Sequence, residues 1–409
     1  MGRPVGLARG RAPRHPRLKP TAGPSPLRVL EIYPKADFYT GAAIQARDLA
    51  RGLTERGHRV VVLTRRSPRW VAEAEAAGFV HRGFFRGPGD PWGALRLAAT
   101  IRDEGIDVVH AHKGGGRTLT LFARALRPRG PHPPLVTNRG VSFPLAPLSR
   151  LVERGPLVTA VVAVCEAIKT DLVRQGVPAE KIVVVYSGTD TDRFDRARVD
   201  GAGVRAELGL DTGSLLVTQI GVREPKGNDD VLRAFARVHA RRPAARLLLV
   251  GARPEKRPPL DAMVRDAGLG AAVTIWGYRD DVPEILAASQ VSVDASYVGL
   301  GITGSLRESL AMETPVVATD VMGNPELVQH GATGLLVPPR APEAMADAIL
   351  RLLDDTEWAR ATGRAGRRLV VERFSTRAKV ERLEGFYRRL ARRPEPQSRS
   401  ARDRRPTPD

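Results

Sequence analysis

A glycine-rich stretch near the end of the chain carries the first sign of chemistry. Gly299, Gly301 and Gly304 follow an apolar segment and precede a helical pattern. Glycine lets the backbone approach a ligand closely, and the first amides of a helix have no partner within it. The stretch therefore predicts an anion site. An alternative stays open, because Ser305 and Glu308 have the spacing of a capping box and such turns occur in many α/β folds.

A second loop places two cations beside the start of a helix. Arg223 and Lys226 lie between the apolar segment 215–220 and the helical pattern 229–241. An arginine can bind two phosphate oxygens at once, and a lysine supplies a compact charge. A solvated loop is the alternative. Both loops follow strands expected in one sheet, so they can converge, and two anion sites in one cleft favour a nucleotide diphosphate.

The elements that would position these loops alternate along the whole chain. Short apolar runs with little polar alternation are typical of parallel strands covered on both faces. In the first half, the strands are predicted at 27–33, 59–64, 107–112, 135–138, 157–165 and 181–186, with helices at 41–56, 92–104, 117–126 and 166–175. In the second half, the strands are predicted at 215–220, 246–251, 273–276, 291–294 and 315–319, with helices at 229–241, 259–267, 282–289, 342–353, 358–373 and 377–390.

This alternation predicts an α/β protein of two doubly wound, Rossmann-like domains that face a cleft. The first domain is predicted over residues 27–188 and the second over 204–376, joined by a polar, glycine- and aspartate-rich linker at 189–203. The helix at 377–390 follows the completed second core and is a candidate to cross back onto the first domain.

The formal charge of the 409-residue chain is +20, so the excess basic side chains either bind an anionic partner or are solvated. Part of it lies in the segments 1–26 and 391–409, which are predicted to be disordered basic tails. An anionic membrane surface is the next interpretation. Nucleic acid ranks last and is not expected as a partner, because no nucleic-acid-binding motif accompanies the charge.

Compartment and membrane contact are also addressed by the sequence. No apolar run reaches the roughly 18 residues of a membrane span, and no signal-peptide pattern is present, so a cytoplasmic protein is expected. The single cysteine, Cys165, ends an apolar run and is expected to be a buried apolar side chain. The segment Arg117–Arg129 alternates leucine, phenylalanine and arginine at helical spacing, so it either docks on anionic lipid or is a core helix with a basic edge.

Together the motifs resemble those of glycosyltransferase family 4, a group of retaining enzymes with the GT-B fold. The resemblance covers about residues 27–390 and is specific in the second half. The matching segments there are Gly221–Gly227, Gly277–Val282, Gly301–Ala318, Asn324–Leu327 and Gly334–Pro338. Looser matches in the first half are Gly57–Val60, His110–His112 and Ser187–Asp190.

The resemblance implies a binding site for a nucleotide-sugar donor. Glu308 would accept hydrogen bonds from the ribose hydroxyls, and the base would lie near Tyr278 and Val282. The donor phosphates would be bound by Arg223, Lys226 and the backbone of Gly301, Ile302, Thr303, Gly304 and Ser305.

The opposite domain is also expected to contact the substrates. Gly41 would approach the phosphate from that side. His112 would contact the donor sugar or the acceptor, with a core histidine as the alternative. Protein cations and helix dipoles neutralise the leaving diphosphate in this family, so neither a metal nor another cofactor is expected.

The function implied is transfer of a sugar, with retention, from a nucleotide-sugar to a glycan or lipid-linked acceptor of the cell envelope. The enzyme would be cytoplasmic and peripheral at the inner face of the plasma membrane. Two alternatives remain: a nucleotide-sugar-binding protein that has lost catalysis, and an epimerase or hydrolase of the same fold. Three departures from the family pattern concern sugar contacts: Leu300 replaces the usual Glu eight positions before Glu308, Asn138-Arg139-Gly140 replaces the usual His-Gly, and Gly41-Ala42 replaces Gly-Gly.

We expect Leu300 to alter the choice of sugar while leaving nucleotide binding intact. A leucine cannot accept a hydrogen bond from a sugar hydroxyl, and a site that lacks one such group disfavours sugars whose hydroxyl would stay unpaired. Comparing transfer by the wild type and Leu300→Glu across a panel of nucleotide-sugars tests this. A wild type that binds nucleotide and transfers nothing, beside an active Glu variant, would identify a degenerate binder.

Overall fold

The computed structural model describes residues 25–298 and 301–391 of the 409-residue chain. The predicted tails, apart from residues 25, 26 and 391, lie outside the described residues, as do Gly299 and Leu300. The described chain forms two parallel β-sheets, each covered by helices on both faces.

The first sheet has seven strands in the order β3-β2-β1-β4-β5-β6-β7. All its strand pairs are parallel, with Val29 opposite both Val60 and Val108. The strands are β1 (Arg28–Ile32), β2 (Arg59–Leu63), β3 (Val80–Arg82), β4 (Val108–Ala111), β5 (Leu135–Arg139), β6 (Ala160–Ala163) and β7 (Ile182–Val184). The helices between them are α1 (Gly41–Glu55), α2 (Pro68–Ala77), α3 (Pro91–Asp103), α4 (Gly114–Leu126), α5 (Pro147–Arg154) and α6 (Glu166–Arg174).

The second sheet has six parallel strands in the order β10-β9-β8-β11-β12-β13. The strands are β8 (Leu215–Val222), β9 (Ala245–Ala252), β10 (Val273–Trp276), β11 (Val291–Asp294), β12 (Val316–Thr319) and β13 (Leu335–Val337). The helices are α7 (Ala202–Glu207), α8 (Asn228–Arg241), α9 (Arg257–Asp266), α10 (Val282–Ala288), α11 (Gly304–Ala311), α12 (Asn324–Leu327), α13 (Pro342–Asp354), α14 (Thr356–Leu369) and α15 (Thr376–Ala391). A π-helical turn, Val370–Phe374, joins the last two helices.

Strand order reverses next to the first strand of each sheet, between β1 and β4 and between β8 and β11. Open parallel sheets bind ligands in the crevice at the carboxyl ends of the strands beside such a reversal. The predicted fold class, two doubly wound Rossmann-like domains, is confirmed. The loops after β1, β4, β8 and β11 are therefore the ones expected to line a ligand site.

The final helix packs on the first domain. Val380, Leu383 and Tyr387 of α15 are fully buried in a core shared with β1, β2 and α1. The approach to α1 is close, because a Cβ at Gly52 would lie 2.6 Å from Val380 Cγ2. The chain thus leaves the second domain at its end and completes the core of the first.

The segment predicted as a linker is packed rather than free. Phe194 is buried in a hydrophobic core. Arg193 donates a hydrogen bond from Nη2 to the backbone oxygen of Asp280, at 2.6 Å. The polar composition of 189–203 reflects turns, such as the one in which Asp190 accepts from the amides of residues 192 and 193.

Helix α4 is a core helix, which was the second of the two interpretations of Arg117–Arg129. Leu119 is fully buried, and Arg117 is buried in an ion pair with Glu153 at 2.7 Å. Arg124 donates to two backbone oxygens, of Pro133 and Leu157. Arg117 and Arg124 are thus engaged within the first domain, whereas Arg127 and Arg129, which follow the helix, are exposed and form its basic edge. Among the described residues, no helix is both long enough and apolar enough to cross a bilayer.

The two domains are joined by a carboxylate that caps a helix across the boundary. Glu326, in α12 of the second domain, accepts hydrogen bonds from the amides of Glu166 and Ala167 at 2.9 and 3.0 Å. These amides begin α6 of the first domain, whose own N-cap, Cys165, provides no side-chain bond. Tyr186 donates to the same carboxylate at 3.0 Å. Since unpaired first-turn amides attract negative charge, this cap orients the two domains.

We expect Glu326→Ala to lower the free energy of unfolding by about 1 kcal/mol, the usual effect of losing a helix cap. Chemical denaturation measures the change, and hydrogen exchange at the amides of Glu166 and Ala167 should become faster. Glu75→Ala, on the exposed face of α2, is the control. Equal stability and unchanged exchange in the two variants would contradict the capping role.

Candidate functional site

A buried ion pair holds the two predicted anion-binding loops together. Lys226, after β8, is 4% exposed, and its ammonium pairs with the carboxylate of Asp294, which ends β11 and is 1% exposed. Lys226 also donates to Ser305 Oγ at 2.9 Å. The loop after β8 is thereby fixed against the start of α11, 79 residues later in the sequence.

Asp294 is the centre of this cluster, and it carries a full charge. Burial alone would raise its pKa, but the pairing with Lys226 and hydrogen bonds from Ser296 and Thr303 outweigh burial and lower the pKa. Thr303 and Ser305 both donate to its Oδ2, at 2.7 and 3.0 Å. Both hydroxyls therefore use their hydrogen on Asp294 and can act towards a ligand only as acceptors.

Helix α11 begins two residues earlier than the predicted capping box requires. Thr303 is the N-cap, and no side chain caps the first turn. Ser305 lies inside the helix with its hydroxyl turned to Asp294. The capping-box interpretation of Ser305 and Glu308 is therefore wrong. The uncapped first turn keeps its amides available to an anion.

Glu308 lies one turn into the same helix. It is partly buried, and its carboxylate accepts no hydrogen bond from the described residues. Burial raises its pKa, and the charges of Arg307, Arg193 and Lys226 partly oppose that rise. A carboxylate without a protein donor, surrounded by cations at a helix start, can accept hydroxyl groups of a ligand.

Arg307 is a buried cation without a carboxylate partner among the described residues. It is 5% exposed, and its guanidinium donates to Thr189 Oγ1 at 3.3 Å and to the backbone oxygen of Ile302 at 2.7 Å. Burial lowers its pKa to about 10, against the effect of Glu308. It thus stays protonated at neutral pH. Nη2 faces the helix start, since it would lie 3.8 Å from a Cβ at Gly304.

Arg223 is exposed beside the buried lysine. The turn that carries both is tight, because Gly227 has a φ of +61° and a Cβ there would lie 2.3 Å from the backbone oxygen of Ala295. Only glycine fits that position. Lys226 is consequently directed inward and Arg223 outward, so the two predicted phosphate ligands occupy different environments.

The region predicted to hold the base is open. Tyr278 is 63% exposed, and its hydroxyl donates to Asp280 at 2.9 Å. Its ring lies 5.6 Å from that of Tyr39 in the first domain. Val282 is partly buried at the start of α10. The two tyrosines face each other across the domain boundary at the rim of this region.

Gly301 and Ile302 are placed by packing between the domains. A Cβ at Gly301 would lie 2.9 Å from Val164 Cγ2 of the first domain. Ile302 is 8% exposed and belongs to the same hydrophobic core as Cys165, which is buried as predicted. Their backbone leads into the helix start, so they support the site, while the amides of Gly304 and Ser305 are nearer to its centre.

The first domain leaves Gly41 accessible and buries His112 just after β4. Gly41 is exposed at the start of α1, with open space where a Cβ would be. His112 is buried, and its Nε2 shares a hydrogen bond of 2.8 Å with Glu31. Burial and the charge of Lys379 lower its pKa to about 3, so its imidazole is neutral. Its ring is tilted against that of His110 at 4.4 Å, as in a core histidine.

Asp294 and Arg307 are the site residues that sequence reasoning missed. A carboxylate at the end of an apolar strand was the available signal for Asp294, since a buried lysine requires a counter-charge. Arg307 precedes Glu308 in the sequence, and no motif or spacing marks it as a site residue. Among the described ranges, no group of three or more His, Cys, Asp and Glu side chains could hold a metal ion.

Family comparisons agree with this geometry. A family model described as Glycosyltransferase Family 4 matches residues 39–193, and one described as Glycosyl transferases group 1 matches residues 214–355. The first match lies in the domain of the seven-stranded sheet. The second contains the whole cluster around Asp294.

Individual relatives extend over both domains. The alpha-D-kanosaminyltransferase of Streptomyces kanamyceticus is 27% identical over 357 residues, which cover 82% of this chain and 90% of the relative. The GDP-mannose-dependent alpha-(1-6)-phosphatidylinositol monomannoside mannosyltransferase of Mycobacterium tuberculosis is 28% identical over 355 residues, 81% of this chain and 91% of the relative.

Solved structures share the fold at lower identity. A glycosyltransferase from Rickettsia africae superposes with a TM-score of 0.82 at 19% identity, covering 90% of this chain and 99% of that one. HepE from Anabaena, in complex with UDP, superposes with a TM-score of 0.77 at 20% identity, covering 89% of this chain and 100% of that one. With family models in both domains, relatives that span both and the same two-sheet architecture, the chain belongs to glycosyltransferase family 4 and is a glycosyltransferase of the GT-B fold.

Proposed function

We propose that the enzyme transfers a sugar from a nucleotide-sugar donor to a glycan or lipid-linked acceptor, with retention and without a metal. One observation carries the proposal: the uncapped start of α11 lies between a carboxylate without a protein donor, Glu308, and a buried cation without an acid partner, Arg307. A carboxylate that needs hydrogen-bond donors suits the ribose hydroxyls, and a cation that needs an anion suits the diphosphate of the same nucleotide.

The second domain supplies the charge that the leaving diphosphate needs. Arg223 reaches from the exposed turn and Arg307 from within the helix, while the amides of Gly304 and Ser305 point along the helix axis. Donors fixed in place before reaction stabilise developing negative charge without reorganisation. Lys226 donates to Asp294 and Ser305, and its third N–H remains for a phosphate oxygen.

The opposing wall comes from the first domain. Gly41 begins α1, a helix of 15 residues whose N-cap, Thr40, accepts from the amide of Ala43. Its open side lets a donor phosphate approach the backbone. Gln45, one turn later, exchanges two hydrogen bonds with Gly188, at 2.7 and 2.8 Å. Thr189 then contacts Arg307, so the wall is tied to the donor site through neighbouring residues.

Donor, acceptor and stereochemistry are drawn from the relatives and the family resemblance. The mannosyltransferase from M. tuberculosis is named for GDP-mannose and a phosphatidylinositol acceptor, and HepE was solved with UDP. The names of several relatives specify alpha-linked products. Our proposal of a cell-envelope acceptor, reached from the inner face of the plasma membrane, is supported by the phosphatidylinositol in the name of the M. tuberculosis relative. Determining the anomeric configuration of the product by NMR tests retention.

Arg223→Ala should weaken binding of the nucleoside diphosphate roughly tenfold to a hundredfold, since a charge-assisted hydrogen bond contributes about 1.5–3 kcal/mol. Titration calorimetry with UDP and GDP measures this, and Arg360→Ala, an exposed position on α14, is the control. Lys226→Ala would also weaken binding, but it removes the counter-ion of Asp294 and so lowers stability as well. Unchanged affinity in Arg223→Ala, or transfer that stops in EDTA and resumes with Mg²⁺ or Mn²⁺, would contradict the proposed metal-free site.

Glu308→Gln should lower nucleotide affinity about tenfold, because an amide oxygen is a weaker acceptor for ribose hydroxyls than a carboxylate. The difference from wild type should shrink as pH falls, because protonation removes the charge of Glu308. Burial raises the pKa of Glu308, so the affinity difference between wild type and variant begins to shrink at a higher pH than it would for an exposed carboxyl. Calorimetry over a pH series measures it, with Glu75→Gln as the control. A constant difference at all pH values would exclude the carboxylate as the hydroxyl acceptor.

A further inference from the structure

The first domain contains a cavity lined by four arginines that the proposed donor site does not use. Its volume is about 470 Å³, and its lining includes Arg65, Arg66, Arg86 and Arg96 with Phe85. Two of the arginines follow β2, one follows β3, and Arg96 belongs to α3. We call this cavity the arginine pocket.

The loops after β2 and β3 are locked together to form the pocket. The amide of Thr64 donates to the backbone oxygen of Arg82, and the amide of Phe85 donates back to Thr64, both at 3.0 Å. Arg65 donates from Nη2 to the backbone oxygen of Arg86 at 3.1 Å. The contact requires a small residue at Gly83, where a Cβ would lie 3.2 Å from Arg66 Cα. The arginines are thus brought together by the backbone.

None of the four guanidinium groups has an acidic partner within the described part of the chain. Nearby arginines differ: Arg59 and Arg82, on the same two strands, both pair with Glu104. Four like charges around one cavity repel each other. Such an arrangement is relieved by a ligand of high negative charge.

The position of the pocket relates it to the acceptor. It lies at the carboxyl edge of the first sheet, where β2 and β3 are the first and second neighbours of β1 on the side away from β4. With strands about 4.8 Å apart, the pocket is about 5–10 Å along this edge from the loop that carries Gly41. Phe85 links the pocket to the start of α4, since a Cβ at Gly115 would lie 3.5 Å from its ring. The separation between the pocket and the loop that carries Gly41 is about the width of one sugar ring.

We infer that the arginine pocket binds a phosphate group carried by the acceptor, an inference that rests on the proposed transferase function. Guanidinium groups bind phosphate oxygens in pairs, and a phosphomonoester or diphosphate carries enough charge to engage several of them. A carboxylate carries one charge and would leave most of the pocket unpaired. The group belongs either to a soluble phosphorylated sugar or to a lipid headgroup. Both sources present the same chemistry to the pocket.

The test is binding of inorganic pyrophosphate by titration calorimetry, with the donor site filled by saturating UDP or GDP. Wild type is expected to bind, and Arg66→Ala/Arg86→Ala/Arg96→Ala is expected to bind at least tenfold more weakly. Arg65 is kept because its bond to the backbone of the neighbouring loop supports the fold. The control, Arg360→Ala/Arg364→Ala/Arg368→Ala, removes the same charge from the exposed face of α14 and should match wild type.

Two further measurements distinguish the sources of the phosphate. Competition by glucose 6-phosphate, without sedimentation on vesicles, indicates a soluble acceptor. Sedimentation with phosphatidylcholine vesicles containing phosphatidic acid, lost in the pocket variant and kept in the control, indicates a lipid. Either result supports the inference.

Failure of the inference is separable from failure of the proposed function. If nucleotide binds and the two triple variants bind pyrophosphate equally, or wild type binds none, the inference is overturned and the donor site stands. If neither UDP nor GDP binds to wild type, the proposed donor site fails. Pyrophosphate is then titrated into Arg223→Ala without nucleotide, and again after the three pocket substitutions are added. Loss of pyrophosphate binding in the second variant supports the inference, whereas unchanged binding overturns it.

Discussion

The buried pair of Lys226 and Asp294 is the interaction on which the donor half of the enzyme depends. It joins two strand ends that are 68 residues apart and carries two hydroxyl-bearing residues of the helix start with it. Removing one partner of a buried ion pair typically costs about 3–5 kcal/mol, because the other charge is left uncompensated. Because Lys226 donates to Asp294 and Ser305, the pair that orders the loop leaves its ammonium one N–H donor for a ligand. Arg223 is exposed on the same turn.

Much of the architecture could be predicted because buried parallel strands and amphipathic helices leave strong local patterns. The predicted strands of both sheets correspond to β1, β2 and β4–β12, mostly with shorter bounds. The missed elements are short or weakly patterned: β3 and β13 have three residues each, and α2 and α5 begin at prolines within polar sequence. Their places are set by contacts across the fold, which a local pattern does not contain.

The site could be predicted only as far as backbone chemistry and motif spacing reach. The glycines, the helix start and the two cations were visible, whereas the orientation of each side chain was not. His112 illustrates the limit. Whether it faces the cleft or the core depends on Glu31 and on His110, which shares a hydrogen bond of 2.6 Å with Tyr387, a residue 277 positions away on the returning helix. The polar interior that receives these histidines exists only once the chain has crossed back.

The charge distribution also explains why the donor site should favour an anion before any sugar is recognised. Lys226 is neutralised by Asp294, but Arg307 remains a buried guanidinium that only neutral oxygens contact among the described residues. Burying such a cation costs free energy in the empty enzyme, and a diphosphate at the start of α11 would recover part of it. Because the cation is fixed by Thr189 and Ile302, little reorganisation accompanies that recovery. Nucleoside diphosphates should consequently stabilise the folded enzyme when they bind this site, since a ligand that binds only the native state shifts the unfolding equilibrium by mass action.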